Sequence, residues 1–227
     1  MTSSDGMEFI GSPERVEVPI ESVLGESAAK EVILDAHPFS MAKVLKPGRV
    51  GRFAIEASTI SKGTIVGGYE RYKGKKTIIK YNFDCPLIKL TEDGNPWMSD
   101  NMHEVESTVG AVEVARGDVL VGGLGMGLFP TWIKDKVNSI DIVELNQEVI
   151  DLVFHQVATE KMKIIHDEIY HYLRTTDKQY DFIFIDIWQD TLSPFWEIDG
   201  ARKLAQRCLK PGGITWCWMQ EQYDSHQ

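Results

Sequence analysis

Apolar residues change their spacing near residue 117, and the change divides the chain into two halves of different predicted structure. Before it, short runs rich in β-branched and aromatic residues alternate with turn residues, a pattern typical of antiparallel strands. The runs are RFAIEAS, GTIVGGYERY, KTIIKYNF and CPLIKL. We therefore predict an N-terminal arm and a small β-rich domain over residues 1–98, the arm covering about the first 18 residues.

A helix is predicted where the two halves meet. The segment TEDGNPW is rich in turn residues and is interpreted as a linker. Ser99 or Asp100 can cap the helix that follows, which Gly117 ends. Its apolar residues recur at spacings of three and four and are Met102, Val105, Val109 and Val112.

The second half, residues 99–227, alternates short apolar runs with helical stretches, among them residues 146–159 with Asn146 as the cap. The apolar runs are DVLVGG, SIDIVEL, MKIIH, DFIFIDIW and GITWCWM. Strands that are apolar throughout and joined by helical crossovers form a parallel sheet covered on both faces. The predicted fold class is α/β: a Rossmann-like, doubly wound parallel sheet preceded by a small, mainly antiparallel β domain.

Glycines follow the first strand of this second half closely, at Gly122, Gly123, Gly125 and Gly127. Glycines let a backbone turn sharply and approach a ligand, and a turn between strand and helix is a common nucleotide site. Leu128 stands where the dinucleotide fingerprint has its third glycine, which counts against a nicotinamide or flavin site. The alternative is that the glycines serve only a tight turn.

Acidic residues follow the next three strands, at the sheet edge where such folds bind ligands. Glu144 can accept hydrogen bonds from both hydroxyls of a ribose. Asp167 can accept the exocyclic amine of adenine, with Leu145 or Ile169 beside the ring. Asp186 faces the reacting end of such a nucleotide, where it could hold an ammonium group or take a proton. Glu144 could instead be an ordinary surface residue at a strand end.

Other side chains permit two readings. His166 and His171 lack the spacing of a metal site, so no metal is predicted. Three aromatic residues could wall an acceptor pocket or pack in the core: Trp188, Phe195 and Trp196.

Composition limits the class of protein. No apolar run reaches the roughly 20 residues that cross a bilayer, and the first residues lack a secretory pattern, so we expect a cytoplasmic protein. Cys85, Cys208 and Cys217 form no CxxC pair and are interpreted as reduced and structural. The net charge of −10 makes nucleic acid an unlikely partner. Residues 41–80 nevertheless carry ten basic and two acidic residues, which could guide an anionic substrate or form a solvated hairpin.

Several segments together resemble the class I S-adenosylmethionine-dependent methyltransferase fold, and within it the spermidine-synthase-like branch. The segments, in that family's order, are VLVGGLGMG, SIDIVELNQEVIDLV, KIIHDEIYHYL, YDFIFIDIW and ARKLAQRCLKPGGITW. The resemblance implies S-adenosylmethionine as the cofactor, with the glycine loop along its methionine part, Glu144 at the ribose, Asp167 at the adenine and Asp186 at the acceptor. The cofactor-binding residues expected from it are Gly123, Leu124, Gly125, Gly127, Glu144, Leu145, Asp167, Glu168 and Asp186.

The segment PLIKLTEDGNPWMSDNMHEVEST is similar to the part of that family that leads into the glycine loop and carries His103 and Glu104. Asp186 is the catalytic candidate, with Asp190 and Glu104 as second choices. Aminopropyltransferases of the branch resemble one another in an acid within the glycine loop, where this chain has Met126. They also carry two aspartates three residues apart, whereas Asp186 and Asp190 are four apart.

These departures favour methyl transfer to an unidentified small acceptor. The alternatives are a spermidine-synthase-like aminopropyltransferase and a non-catalytic nucleotide-binding module. DIWQD does not resemble the Asn/Asp-Pro-Pro-Tyr motif of enzymes that methylate nucleic-acid amines. The family's fold usually continues with another helix and two strands after the last predicted strand. The sheet could be limited to five parallel strands, or the N-terminal region or another subunit could complete it. Because open sheet edges favour association, we expect a homo-oligomer.

Overall fold

The computed structural model describes residues 30–70, 75–188 and 194–225. The predicted N-terminal arm therefore lies outside the described residues. The strands are β1 (Lys30–Leu34), β2 (Gly48–Val50), β3 (Phe53–Ile60), β4 (Ile65–Glu70), β5 (Lys75–Tyr81), β6 (Cys85–Glu92), β7 (Asn95–Ser99), β8 (Asp118–Gly122), β9 (Ser139–Glu144), β10 (Met162–His166), β11 (Tyr180–Ile185) and β12 (Leu209–Cys217).

The helices lie mainly in the second half. They are α1 (Met102–Val114), α2 (Leu128–Ile133), α3 (residues 147–157), α4 (Ile169–Thr175), α5 (Pro194–Ala205) and α6 (Gln220–Ser225). The middle of α3, Ile150–Phe154, is π-helical. Short 3₁₀ turns are formed by Met41–Lys43 and Gln206–Cys208.

Five strands of the second half form a parallel sheet in the order β10-β9-β8-β11-β12, which confirms the predicted fold class. The strand order reverses at β8, because β9 and β10 lie on one side of it and β11 and β12 on the other. Val119, Leu120 and Val121 of β8 are buried, as expected for a central strand covered on both faces. The loop after β8 is therefore at the switch point, where open α/β sheets bind ligands.

The first half contains two small sheets. One is antiparallel in the order β2-β3-β6-β7, and the other has the order β1-β5-β4, in which β1 and β5 are parallel. This arrangement is mainly antiparallel, as predicted. The antiparallel sheet packs directly on the second half, since Phe53 and Leu90 belong to the same buried cluster as Val121 and Phe184.

The interpretation of TEDGNPW as a linker is wrong. The segment forms a tight hairpin, in which β6 and β7 pair antiparallel and Asp93 and Gly94 turn the chain with φ of 49° and 82°. An Asp-Gly pair with two positive φ angles matches the right-handed twist of the flanking strands. The turn residues thus joined two strands of one sheet, and the predicted boundary after residue 98 falls inside β7.

The predicted caps of α1 are also wrong. Asn101 is the N-cap, and its side chain accepts the backbone N–H groups of residues 103 and 104. Asp100 instead is fully buried and accepts the N–H groups of Met41 and Ile88, each at 2.7 Å. Its carboxylate thus links β6 to the 3₁₀ turn at Met41–Lys43. These partners are distant along the chain, so the local sequence could not predict this role. The helix itself ends at Val114, before Gly117.

Three further expectations concern single features. Cys85, Cys208 and Cys217 are buried and form no disulfide with one another; that they are reduced and structural stays a prediction. None of the helices in the described ranges has the length and apolar character needed to span a membrane. The outer strands of the parallel sheet are β10 and β12. Association through such edges stays a prediction, which sedimentation of the protein at micromolar concentration would test.

Candidate functional site

A cavity of about 490 Å³ opens at the carboxyl ends of β8 to β11. Every predicted cofactor-binding residue except Gly127 lines it, as do the catalytic candidates Asp186 and Glu104. Asp190 lies outside the described residues. The acids that follow three different strands meet at one edge because the strands are parallel neighbours.

The glycine loop is shaped by other parts of the chain. Gly123 has φ of 94°, and a Cβ there would lie 2.2 Å from the carbonyl oxygen of Asp186. At Gly125 a Cβ would lie 2.5 Å from Sδ of Met98. Gly127, with φ of 73°, begins α2. The loop therefore needs glycine for its own turn and packing, and it also forms the cavity floor.

Glu144 joins the glycine loop to the beginning of α3. Its Oε2 accepts the backbone N–H of Leu124 at 2.8 Å, and its Oε1 accepts that of Asn146 at 2.8 Å. The side chain is held in a buried position beside the cavity. A carboxylate offers about four lone-pair sites, so each oxygen keeps capacity for one further donor. Two adjacent hydroxyl groups require two such acceptor sites.

Asp167 and Glu168 differ in their contacts although they are neighbours. Oδ1 of Asp167 accepts the backbone N–H of Glu168 at 2.8 Å, and both of its oxygens lie 2.9 Å from Nδ1 of His171. Glu168 is the N-cap of α4, and its side chain accepts two backbone N–H groups of that helix. The carboxylate of Glu168 thus stabilises the helix, a contact that the sequence analysis missed.

An apolar ledge lies between Glu144 and Asp167. Leu145 is 62% exposed and lines the cavity, although large apolar side chains usually avoid water. Ile169 also lines the cavity and is buried, against the start of the glycine loop at Gly122. The face of a planar ring can pack on an exposed leucine side chain beside such acceptor groups.

Asp186 and Glu104 approach the far end of the cavity from two elements. Asp186 follows β11, and Glu104 lies in the first turn of α1. Burial raises the pKa of Asp186 to about 8, and the negative charge of Glu104 adds to the effect. Within the described part of the chain, no donor forms a hydrogen bond with the Asp186 carboxylate. A carboxyl group with a pKa near 8 is mostly protonated at neutral pH, and its ionised form is a stronger base than an ordinary carboxylate.

The first half of the chain supplies a wall that the sequence analysis missed. Leu90, Glu92, Trp97 and Met98 of the β6–β7 hairpin line the cavity, together with Arg52. Sδ of Met98 accepts the backbone N–H of Met126 at 3.1 Å, so the hairpin touches the glycine loop directly. The register of the β6–β7 hairpin decides which of these side chains face the glycine loop, and no local sequence pattern indicates them.

Trp188 lines the cavity and also belongs to a buried apolar cluster, so it matches both interpretations given above; its indole N–H donates to Glu197 at 2.9 Å. Trp218 lines it too, on the side of α1. The side chains of Phe195 and Trp196 lie outside the described residues. The described part of the chain holds no group of three His, Cys, Asp or Glu side chains suited to a metal ion.

Comparison with known proteins gives matches among solved structures only. No family model and no curated protein sequence matches the chain. The DhpI–SAH complex aligns at 16% identity over 51% of this chain and 55% of that chain, with a TM-score of 0.42. A SAM-dependent methyltransferase from Thiobacillus denitrificans, in complex with S-adenosyl-L-homocysteine, aligns at 20% identity over 52% and 48%, with a TM-score of 0.40.

A SAM-dependent methyltransferase from Geobacter sulfurreducens, in complex with the same ligand, aligns at 21% identity over 50% of this chain and 47% of that chain, with a TM-score of 0.39. The aligned part of the chain spans about half the length of these three proteins. None of the three is described as an aminopropyltransferase. At such identities the likeness concerns the fold.

Proposed function

We propose that the protein is an S-adenosylmethionine-dependent methyltransferase that acts on a small acceptor. One observation carries the proposal: at the switch point of the sheet, the carboxylate of Glu144 is fixed by two backbone N–H groups and still has acceptor capacity towards the cavity. The glycine loop, the ledge at Leu145 and the carboxylate of Asp167 surround it. Together these groups can contact a ribose, an adenine ring and an exocyclic amine.

Each part of the cofactor would have its own contact. Glu144 would accept hydrogen bonds from both ribose hydroxyls. Asp167 would accept one from the adenine amine, and the face of the adenine ring would lie on Leu145. The methionine part would run along Gly123 and Gly125 towards Asp186. The glycine positions admit this path because no Cβ stands between the backbone and the cavity.

Methyl transfer asks little covalent chemistry of the protein. When bound, the cofactor supplies a methyl group on a sulfonium that is already activated. The protein's residues align the acceptor with that methyl group and exclude water, which is the work of the aromatic walls at Trp97, Trp188 and Trp218. Asp186 in its ionised form is the proposed proton acceptor, because a pKa raised to about 8 by burial makes that form a stronger base, and a sulfonium nearby favours ionisation. Glu104 is proposed as the second carboxylate that tunes it.

Aminopropyl transfer is the less favoured enzymatic reaction. Met126 stands at the loop position where polyamine enzymes carry an acid, and its side chain is completely buried in the core. A carboxylate that recognises a second ammonium group is therefore missing from that position.

Calorimetric titration tests the proposal. We expect S-adenosylmethionine and S-adenosylhomocysteine to bind with one molecule per chain, NAD to show no heat of binding, and decarboxylated S-adenosylmethionine to bind more weakly. A preference for the decarboxylated form would support aminopropyl transfer. Release of S-adenosylhomocysteine in the presence of pooled small amines, alcohols and acids would then identify the acceptor class. Tight binding with no product from any pool would support the non-catalytic module.

A further inference from the structure

His171 contacts the predicted adenine-binding carboxylate from outside the cavity. It lies on α4 one helical turn after Asp167, and its Nδ1 is 2.9 Å from both Asp167 oxygens. The side chain of His171 is 62% exposed, and the residues that line the cavity do not include it. The contact with Asp167 therefore links the His171 side chain to the cavity.

The protonation of this contact follows from its chemistry. An ionised carboxylate has acceptor atoms only, so Nδ1 of His171 must carry the proton that it shares between the two oxygens. The pKa of Asp167 is lowered, most of all by the hydrogen bond from His171. The backbone N–H of Glu168 and the nearby His166 also lower it. Asp167 thus remains a pure acceptor at neutral pH.

The contact also limits where another donor can approach. Oδ1 of Asp167 accepts the Glu168 N–H at 2.8 Å as well as its share of the His171 proton. Oδ2 accepts only its share of the His171 proton among the described residues. The unused acceptor capacity is therefore concentrated at Oδ2, and the orientation of the carboxylate is fixed by donors at two points.

We propose that His171 is a positioning residue that fixes Asp167 as the acceptor for an amino group on the purine ring of the cofactor. It makes the pocket selective for a 6-amino purine. The inference rests on the proposed function, because it presumes a nucleoside at the ledge formed by Leu145. It differs from that function in assigning the purine selectivity to a residue that touches no part of the ligand.

The experiment compares two ligands in the wild type and in two variants of His171. Dissociation constants are measured by calorimetry for S-adenosylhomocysteine and for its analogue in which hydrogen replaces the 6-amino group. We expect the wild type to prefer the amino form by about tenfold or more, because the analogue gives no donor to the remaining acceptor site at Oδ2 of Asp167. His171→Ala should reduce that preference about two- to fivefold, the range of a partly exposed ionic hydrogen bond. His171→Gln should restore much of it, since a glutamine four residues on can donate to an aspartate.

Two controls separate a positioning role from a structural one. Asp167→Ala should remove the preference, and His171→Ala should have no further effect on it in that background. His155→Ala is the matched control: His155 also contacts the residue four positions earlier, through Nδ1 to the Asp151 carbonyl at 3.0 Å, and does not line the cavity. It should leave the preference unchanged.

The outcomes distinguish the two proposals. If the wild type binds neither ligand, the proposed function is wrong. If the wild type binds the amino form but His171→Ala weakens both ligands equally, or neither, the inference about His171 is wrong and the proposed function stands.

Discussion

Oε2 of Glu144 accepts the backbone N–H of Leu124 at 2.8 Å, so one carboxylate couples the end of β9 to the glycine loop after β8. The same carboxylate accepts the N–H of Asn146 at the start of α3. A residue expected to touch only the ribose therefore also shapes the loop along which the methionine part would lie. Ligand affinity and loop geometry should respond together when Glu144 is changed.

Glu144→Gln tests this coupling. The glutamine has one acceptor oxygen, so one of the two backbone N–H groups loses its partner in a buried place. We expect the free energy of unfolding to fall by about 1–3 kcal/mol and the affinity for S-adenosylhomocysteine to fall by about tenfold or more. Urea unfolding and calorimetry measure the two effects. Glu160→Gln, at an exposed position, is the control and should change neither. Unchanged affinity in a folded Glu144→Gln variant would contradict the ribose assignment.

Gly123→Ala tests whether the glycine loop is fixed by the protein itself. Gly63 is a matched control, because its φ of 87° is close to the 94° of Gly123 but a Cβ there would meet nothing within 4 Å. We expect Gly63→Ala to cost about 1–2 kcal/mol of unfolding free energy through backbone strain alone. Gly123→Ala should cost roughly 1–3 kcal/mol more, since its Cβ would overlap a backbone carbonyl that cannot rotate away. If urea unfolding shows the same loss of unfolding free energy for both variants, the glycine loop can shift to make room for the added Cβ.

Protonation of Asp186 should be linked to cofactor binding. With a pKa of about 8, most Asp186 carboxyl groups are protonated at pH 7. A sulfonium nearby favours the ionised form, so binding of S-adenosylmethionine should release protons. Calorimetry in two buffers of different ionisation enthalpy measures that release. Asp186→Asn should abolish it, whereas Asp84→Asn, at an exposed carboxylate, should leave it intact.

The same pKa predicts the direction of a pH effect on stability. The native protein binds more protons at Asp186 than the unfolded chain does between the ordinary aspartate pKa of about 3.9 and the native value of about 8. Asp186 therefore makes the native state less stable as the pH rises through this interval. Asp186→Asn should remove that part of the pH dependence in urea unfolding. A wild-type curve no steeper than that of the variant would place the pKa of Asp186 in the ordinary range.

The sequence predicted the parallel sheet because its strands are continuous apolar runs between helices of the right length. It also predicted that Glu144, Asp167 and Asp186 would share an edge, since parallel strands end on the same side. Both inferences need only local patterns and a general rule of chain topology. The residues that line the cavity from the second half were accessible to such reasoning.

The sequence could not predict contacts that depend on distant parts of the chain. Asp100 and Asn101 are neighbours with similar capping ability, and the packing of β6 and the 3₁₀ turn decided which of them caps α1. Met98 and Trp97 reach the cavity only through the register of the β6–β7 hairpin.

Local sequence by itself determined the elements, the fold class and the row of acids at the sheet edge, because apolar spacing and strand direction act along the chain. Only the tertiary structure decided the hydrogen-bond partners and the electrostatic surroundings of those acids. Glu144 acquired two backbone donors, Asp167 acquired His171, and Asp186 acquired a raised pKa beside Glu104. Hydrogen bonding, burial and charge are set by which segments meet in space, and these three quantities give each carboxylate its chemistry.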